Sequence, residues 1–126
     1  MGVKVMVVDD TDHVRTMLAE MLTLDGFDVV AQSANGDEAL ASIAAADPDV
    51  VVMDLKMPGI DGLETTRRLK ETRPTQAVIL YTAYLDPTIE REAKQVGVTL
   101  CLGKIDGLQE LERQISRLTL ELAGDA

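Results

Sequence analysis

The chain has 126 residues, of which 46% are hydrophobic, and a formal net charge of −10. This length and apolar content suit one compact core, so we expect a single domain over residues 1–126. The acidic balance argues against direct nucleic-acid binding, because phosphate contacts need a basic surface. The lone Cys101 excludes an intramolecular disulfide and fits a reducing setting. There is no signal peptide and no apolar run near the roughly 20 residues that span a bilayer, so we expect a cytoplasmic protein without membrane contact.

Short β-branched runs alternate with helical patterns along the chain. Five strands are predicted, at residues 3–8, 27–31, 49–53, 77–81 and 98–102. A helix is predicted after each strand, and the five helices run from Val14 to Gly26, Asn35 to Asp47, Gly62 to Pro74, Asp86 to Gly97, and over about 107–123. Strict alternation with continuous apolar strands predicts an α/β fold with a parallel sheet covered by helices on both faces.

Charged and polar side chains follow four of these strands. They are Asp9 and Asp10 after the first, Asp54 after the third, Thr82 after the fourth and Lys104 after the fifth. Right-handed crossovers place the carboxyl ends of all strands at one edge of the sheet, where doubly wound folds bind ligands. If the first and third strands are neighbours, three carboxylates meet in one small space.

Such a cluster of carboxylates is costly without a partner. At a separation of about 4 Å, two like charges repel by about 4 kcal/mol at an effective dielectric constant of 20. All-oxygen ligands favour a hard cation such as Mg²⁺, which keeps waters and accepts phosphate oxygens. A metal beside a carboxylate, a hydroxyl and an ammonium group also describes a phosphoryl-transfer site.

The chain resembles the receiver domain of bacterial two-component response regulators over its whole length. The matching segments are VMVVDD (5–10), VVVMDLKMPGIDG (50–62), ILYTA (79–83) and CLGK (101–104). The resemblance implies a doubly wound, flavodoxin-like (βα)5 fold with five parallel strands in the order 2-1-3-4-5.

The resemblance also implies a role for each matching residue. Asp54 would accept the phosphoryl group. Asp10 and Asp54 would ligate Mg²⁺ directly, Asp9 would act largely through a water, and the backbone carbonyl of Lys56 would supply a further ligand. Two side chains would contact the phosphoryl group, and these are Thr82 and Lys104.

The family's partners and output follow from the same resemblance. The phosphoryl donor would be a sensor histidine kinase or a His phosphotransfer protein, and the chain would promote only its own phosphorylation and dephosphorylation. Phosphorylation would switch the face formed by the fourth helix, fifth strand and fifth helix. That face would then bind a downstream protein or an effector domain of the same polypeptide, or form a homodimer.

Three positions depart from the family pattern, all on the output side. Ile105 replaces the proline that usually follows the lysine, so we expect a trans peptide bond and a different loop. Cys101 replaces the usual switch aromatic, and Val98 replaces an alanine before the fifth strand. The alternative is therefore a degenerate receiver that acts as a phosphorylation-independent interaction module. Tyr84 and Lys56 would border the path of a hydrolytic water and tune the lifetime of the phosphoryl group.

Two further features have competing interpretations. His13 is expected on the surface rather than as a metal ligand or phosphorelay residue. The last helix carries apolar residues at spacings of 3 and 4, which are Leu108, Leu111, Ile115, Leu118 and Leu122. This period fits a short coiled-coil seam used for dimerisation, but we favour packing on the sheet, because the seam is shorter than three heptads.

Overall fold

The computed structural model describes residues 2–124, with the side chains of residues 2–120. One parallel sheet of five strands has the order β2-β1-β3-β4-β5. The strands are β1 (Lys4–Val8), β2 (Asp28–Ser33), β3 (Val50–Met53), β4 (Ala77–Thr82) and β5 (Leu100–Gly103). The helices are α1 (Asp12–Leu24), α2 (Gly36–Ala46), α3 (Gly62–Thr72), α4 (Pro87–Val96) and α5 (Leu108–Gly124). The predicted fold class and strand order are confirmed.

The central strands are buried on both faces, which explains their continuous apolar sequences. Alternate residues of each strand point to opposite faces and form two apolar layers. One layer packs Val7, Val52 and Ile79 beneath α1 and α5. The other packs Met53 and Leu80 beneath the helices on the opposite face. Because a one-residue slip would exchange these faces, the layers fix the register that positions the strand ends.

The last helix packs on the sheet as favoured. Leu111 and Ile115 are 0% exposed, and Leu108 and Leu118 pack against the same apolar layer. The side chain of Leu122 lies outside the described residues. His13 is exposed, as expected.

The start of the fifth strand was predicted too early, at residue 98 instead of Leu100. Gly97 adopts a φ of 97°, which ends α4 in a left-handed cap, and the Val98 N–H donates to the Ala93 carbonyl at 2.9 Å. The backbone of residues 97 and 98 therefore completes the helix end instead of the sheet. The second strand begins at Asp28, one residue later than predicted, and continues two residues further, to Ser33, because Ser33 pairs with Val8.

A one-turn 3-10 helix at Lys104–Asp106 separates β5 from α5. None of the described peptide bonds is cis, so the loop after Lys104 has the trans bond expected from Ile105. Within the described part of the chain, no helix is both long enough and apolar enough to cross a membrane.

Candidate functional site

Three carboxylates meet at the carboxyl edge of the sheet. Val8 pairs with Met53, so Asp9 and Asp54, the next residue on each strand, lie side by side. One carboxylate oxygen each from Asp9, Asp10 and Asp54 lies within 4.8 Å of the other two. Asp9 is 2% exposed and Asp54 is 8% exposed. The sequence-predicted acids are therefore brought together, and two of them are almost removed from water.

Lys104 crosses from β5 to this cluster. Its Nζ donates to Asp9 Oδ2 at 3.0 Å and lies 3.6 Å from Asp54 Oδ2. Burial alone would lower the pKa of Lys104, but the hydrogen bond to Asp9 and the charges of Asp54 and Asp9 together raise it above its usual value. The ammonium group stays charged and offsets part of the repulsion between the acids.

Asp54 is held by its own backbone and by the helix that follows. The Leu55 N–H donates to Asp54 Oδ1 at 2.9 Å, which leaves Oδ2 facing Lys104. Gly62, the first residue of α3, touches the backbone behind Asp54, where an added Cβ would lie 2.1 Å from the Asp54 carbonyl oxygen. Burial and the charge of Asp9 raise the pKa of Asp54, against the lowering effect of Lys104. The Asp54 carboxylate thus lacks full charge compensation from these residues.

Asp9 is fixed by contacts that the sequence did not predict. The Thr11 N–H donates to Asp9 Oδ1 at 2.9 Å, and the Arg15 guanidinium donates to the Asp9 carbonyl at 2.8 Å. Arg15 also pairs with Asp12 at 2.7 Å. The available signal was the position of Arg15, one helical turn after Thr11, from which a long side chain can reach back to the strand end. Asp9 thus joins the start of α1 to the site.

Thr82 is the last residue of β4, not the first residue after it, and pairs with Gly103. Its side chain is 0% exposed, and its hydroxyl oxygen accepts a hydrogen bond from the Tyr84 N–H at 3.1 Å. A threonine hydroxyl that accepts one bond still has its own proton to donate. Thr82 therefore lies at the same sheet edge as Asp54 and Lys104, and no described residue accepts its hydroxyl proton.

Lys56 and Tyr84 form the exposed rim of the site. The Lys56 ammonium lies 4.8 Å from the centroid of the Tyr84 ring, within the range of a cation–π contact. This contact joins the loop after β3 to the loop after β4. The use of the Lys56 carbonyl as a metal ligand stays a prediction.

Two of the three output-side departures, Cys101 and Ile105, lie near the end of β5. Cys101 is half-buried and, like Ile89, packs against the apolar layer that includes Met53 and Leu80, and burial together with the charge of Glu90 raises the pKa of its thiol. Ile105 is 97% exposed. A thiol that stays protonated and packed is not a replacement for a rotating aromatic ring.

The donor set fits a hard divalent cation. Carboxylate oxygens are the ligands that Mg²⁺ prefers, and three of them face one ammonium group here. A cation bound by Asp9, Asp10 and Asp54 would offset the repulsion that Lys104 leaves.

Comparison with known proteins identifies the family. A sequence model described as the response regulator receiver domain matches residues 5–116. The chain belongs to this family. Its relatives include bacterial response regulators of two-component systems, and the receiver domain described here has their fold.

Curated relatives differ in how much of their length the receiver domain covers. This chain is 40% identical over 114 residues to the response regulator GacA of Pseudomonas syringae pv. syringae (strain B728a). The match covers 90% of this chain and 53% of the relative. The chain thus spans about half the length of such regulators. It is 32% identical over 117 residues to sporulation initiation phosphotransferase F of Bacillus subtilis (strain 168), covering 93% of this chain and 94% of the relative.

Solved structures show the same fold. A two-component response regulator of the LuxR family from Aurantimonas sp. SI85-9A1 superimposes with a TM-score of 0.91 at 27% identity, covering 96% of this chain and 87% of that one.

Adding Mg²⁺ is expected to stabilise the receiver domain and Asp10→Asn to weaken that effect. At ten times its Kd, Mg²⁺ should add about 1.4 kcal/mol to the free energy of unfolding, measured by thermal denaturation. Asp10→Asn removes one ligand charge, so the variant should be more stable without Mg²⁺ and gain less from it. Asp37→Asn is the control, because Asp37 is exposed on α2 and lies outside the cluster. Equal Mg²⁺ stabilisation of wild type and Asp10→Asn would contradict this assignment.

Proposed function

We propose that this receiver domain accepts a phosphoryl group on Asp54 from a phosphorylated histidine and thereby switches between two states. The observation that carries the proposal is the convergence of Asp54, the acids Asp9 and Asp10, and Lys104 at one sheet edge, with Lys104 within 3.6 Å of the Asp54 carboxylate. Buried Thr82 ends the neighbouring strand. We also propose that residues 1–126 form one domain and that it works in the cytoplasm.

The chemistry assigns one task to each side chain. A carboxylate oxygen of Asp54 forms a bond to phosphorus while the bond from phosphorus to the donor nitrogen breaks, and the donor imidazole leaves with the electron pair. The Lys104 ammonium and the Thr82 hydroxyl donate to the phosphoryl oxygens and stabilise the charge that they carry.

Mg²⁺ fits this scheme as the cofactor. Asp10 and Asp54 would ligate it directly, Asp9 largely through a water, and the Lys56 carbonyl would complete the protein's contribution. The ion would supply charge neutralisation for the acids and for the phosphoryl oxygens. We propose that the receiver domain promotes only its own phosphorylation and dephosphorylation, and that Lys56 and Tyr84 at the rim tune the second of these.

The proposed donor is a sensor histidine kinase or a His phosphotransfer protein. The surface beside the site supports a protein partner, because Met17 is 58% exposed and Ile105 is 97% exposed. With Tyr81 and Leu108, Met17 lines an apolar groove between α1 and the start of α5, and Lys104 also lines it. A protein that brings its histidine to Asp54 would cover this surface.

The proposed output surface is the face of α4, β5 and α5. It would bind a downstream protein, an effector domain of the same polypeptide, or a second copy of the chain. In α4, Ala93 is the buried residue, so few apolar contacts hold this helix in place. The net charge of −10 supports an output through protein rather than nucleic acid.

A second candidate is a phosphorylation-independent interaction module. Cys101 and Ile105 favour it, because the family's aromatic switch and proline are both missing. The two candidates differ in whether a change at Asp54 reaches the output face.

Treatment with acetyl phosphate and Mg²⁺ should add the mass of one phosphoryl group to the receiver domain. Asp54→Asn should prevent the addition, because the nucleophile is lost. Lys104→Ala should slow it by about 100-fold or more, since a donor to the transferring group is removed. Intact-protein mass spectrometry measures both, with Asp37→Asn as the control, an exposed acid on α2. An equal adduct on Asp54→Asn would refute Asp54 as the acceptor.

Ile105→Ser should slow phosphotransfer from a His-phosphorylated donor protein by about 10- to 100-fold, because burying a whole isoleucine side chain is worth about 1.5–3 kcal/mol. Transfer from acetyl phosphate should be unchanged, since that donor is too small to use the surface. Leu24→Ser is the matched control, being 81% exposed at the far end of α1. If Ile105→Ser and Leu24→Ser slow protein phosphotransfer equally, the docking surface is wrongly placed.

A further inference from the structure

The turn after β5 is closed by a side chain that the family comparison does not assign. Asp106 Oδ2 accepts a hydrogen bond from the Gly103 N–H at 3.1 Å. The Gly107 N–H donates to the Lys104 carbonyl at 3.2 Å. The backbone of Lys104 therefore lies between two hydrogen bonds, one made by the Asp106 side chain and one made by the backbone.

This turn disfavours a proline at position 105. Lys104 begins the 3-10 helix, and a residue that precedes proline is disfavoured in helical conformations. Ile105 removes that restriction, but it also removes the rigidity that a proline gives to the chain. β5 is an edge strand that pairs only with β4 among the described strands, so the sheet itself constrains its end from one side. The Asp106 carboxylate supplies the missing constraint.

The position of Lys104 is where this constraint acts. The lysine side chain has four rotatable carbon–carbon bonds. It must nevertheless hold its Nζ 3.0 Å from Asp9 and 3.6 Å from Asp54. A backbone fixed at Gly103 and Lys104 limits the region that the ammonium can reach. Asp106 itself is exposed and lies outside the cluster of three acids, so it acts through the turn.

We propose that Asp106 is a positioning residue for Lys104, closing the 3-10 turn in place of the proline that this chain lacks. The proposal rests on the proposed function for the effect on phosphoryl transfer, but the effect on the Lys104 side chain is independent of it.

The test compares Asp106→Ala with Asp106→Asn. In Asp106→Ala the Gly103 amide should exchange its hydrogen faster, and the Lys104 ε-methylene should have a lower NMR order parameter. The rate constant for phosphorylation by acetyl phosphate at saturating Mg²⁺ should fall by about tenfold. This fall corresponds to the free energy of one lost hydrogen bond to a charged acceptor. The Mg²⁺ dissociation constant should not change, because the acids are untouched.

Asp106→Asn keeps an oxygen that accepts the Gly103 N–H, so it should restore the protection of the Gly103 amide and the order of Lys104. Ile105→Pro is the second variant. It should open the turn and free Lys104 even though it installs the residue usual in the family.

Three results would overturn the proposal: wild-type values for Lys104 order and Gly103 exchange in Asp106→Ala, failure of Asp106→Asn to restore them, or an intact turn in Ile105→Pro. If the wild-type protein takes up no phosphoryl group, the proposed function fails, while the two NMR readouts still decide the role of Asp106.

Discussion

Repulsion among three carboxylates is the constraint around which the site is organised. Asp9, Asp10 and Asp54 are brought within 4.8 Å by the pairing of β1 with β3, and two of them are nearly buried. Two like charges at this range cost several kcal/mol in a partly buried place. Lys104 compensates part of the charge, and a bound Mg²⁺ would compensate more. The negative charge that stays uncompensated lowers the stability of the fold. The same charge would make this edge of the sheet bind a cation strongly, together with a phosphoryl group that the cation contacts.

The rest of the sheet explains why this repulsion is tolerated. β3 and β4 are buried on both faces, and their alternating residues fill two separate apolar layers. A strand cannot slip to separate the acids without moving a whole layer into the wrong face. Gly62 adds a close approach of α3 behind Asp54 that an added side chain would block. The apolar layers therefore hold the charges in place.

The sequence allowed the acids and the strands to be predicted because apolar runs end abruptly in charge. It did not by itself give the neighbour of each strand; the order came from the resemblance to a family, and the β1–β3 pair confirmed it. The contacts of Arg15 and Asp106 were missed because each joins a side chain to a nearby backbone group, and residue spacing alone does not decide whether such a hydrogen bond forms. The start of β5 was misplaced because a helix cap at Gly97 competed with strand propensity at Val98.

The Thr82 hydroxyl accepts a hydrogen bond from the Tyr84 N–H and so connects the site to the β4–α4 loop. This connection does not need an aromatic ring at position 101. If Thr82 turned toward a phosphoryl group, this hydrogen bond would change, and Tyr84 would carry the change to its contact with Lys56.

Whether phosphorylation reaches the output face is the central question, and beryllofluoride, a mimic of the phosphoryl group, tests it most directly. With Mg²⁺ present, its addition to the wild-type protein should shift backbone amide resonances throughout residues 86–112, and Asp54→Asn should abolish those shifts. Changes confined to the surroundings of Asp54, or equal changes in Asp54→Asn, would contradict a phosphorylation-driven switch and favour the phosphorylation-independent module.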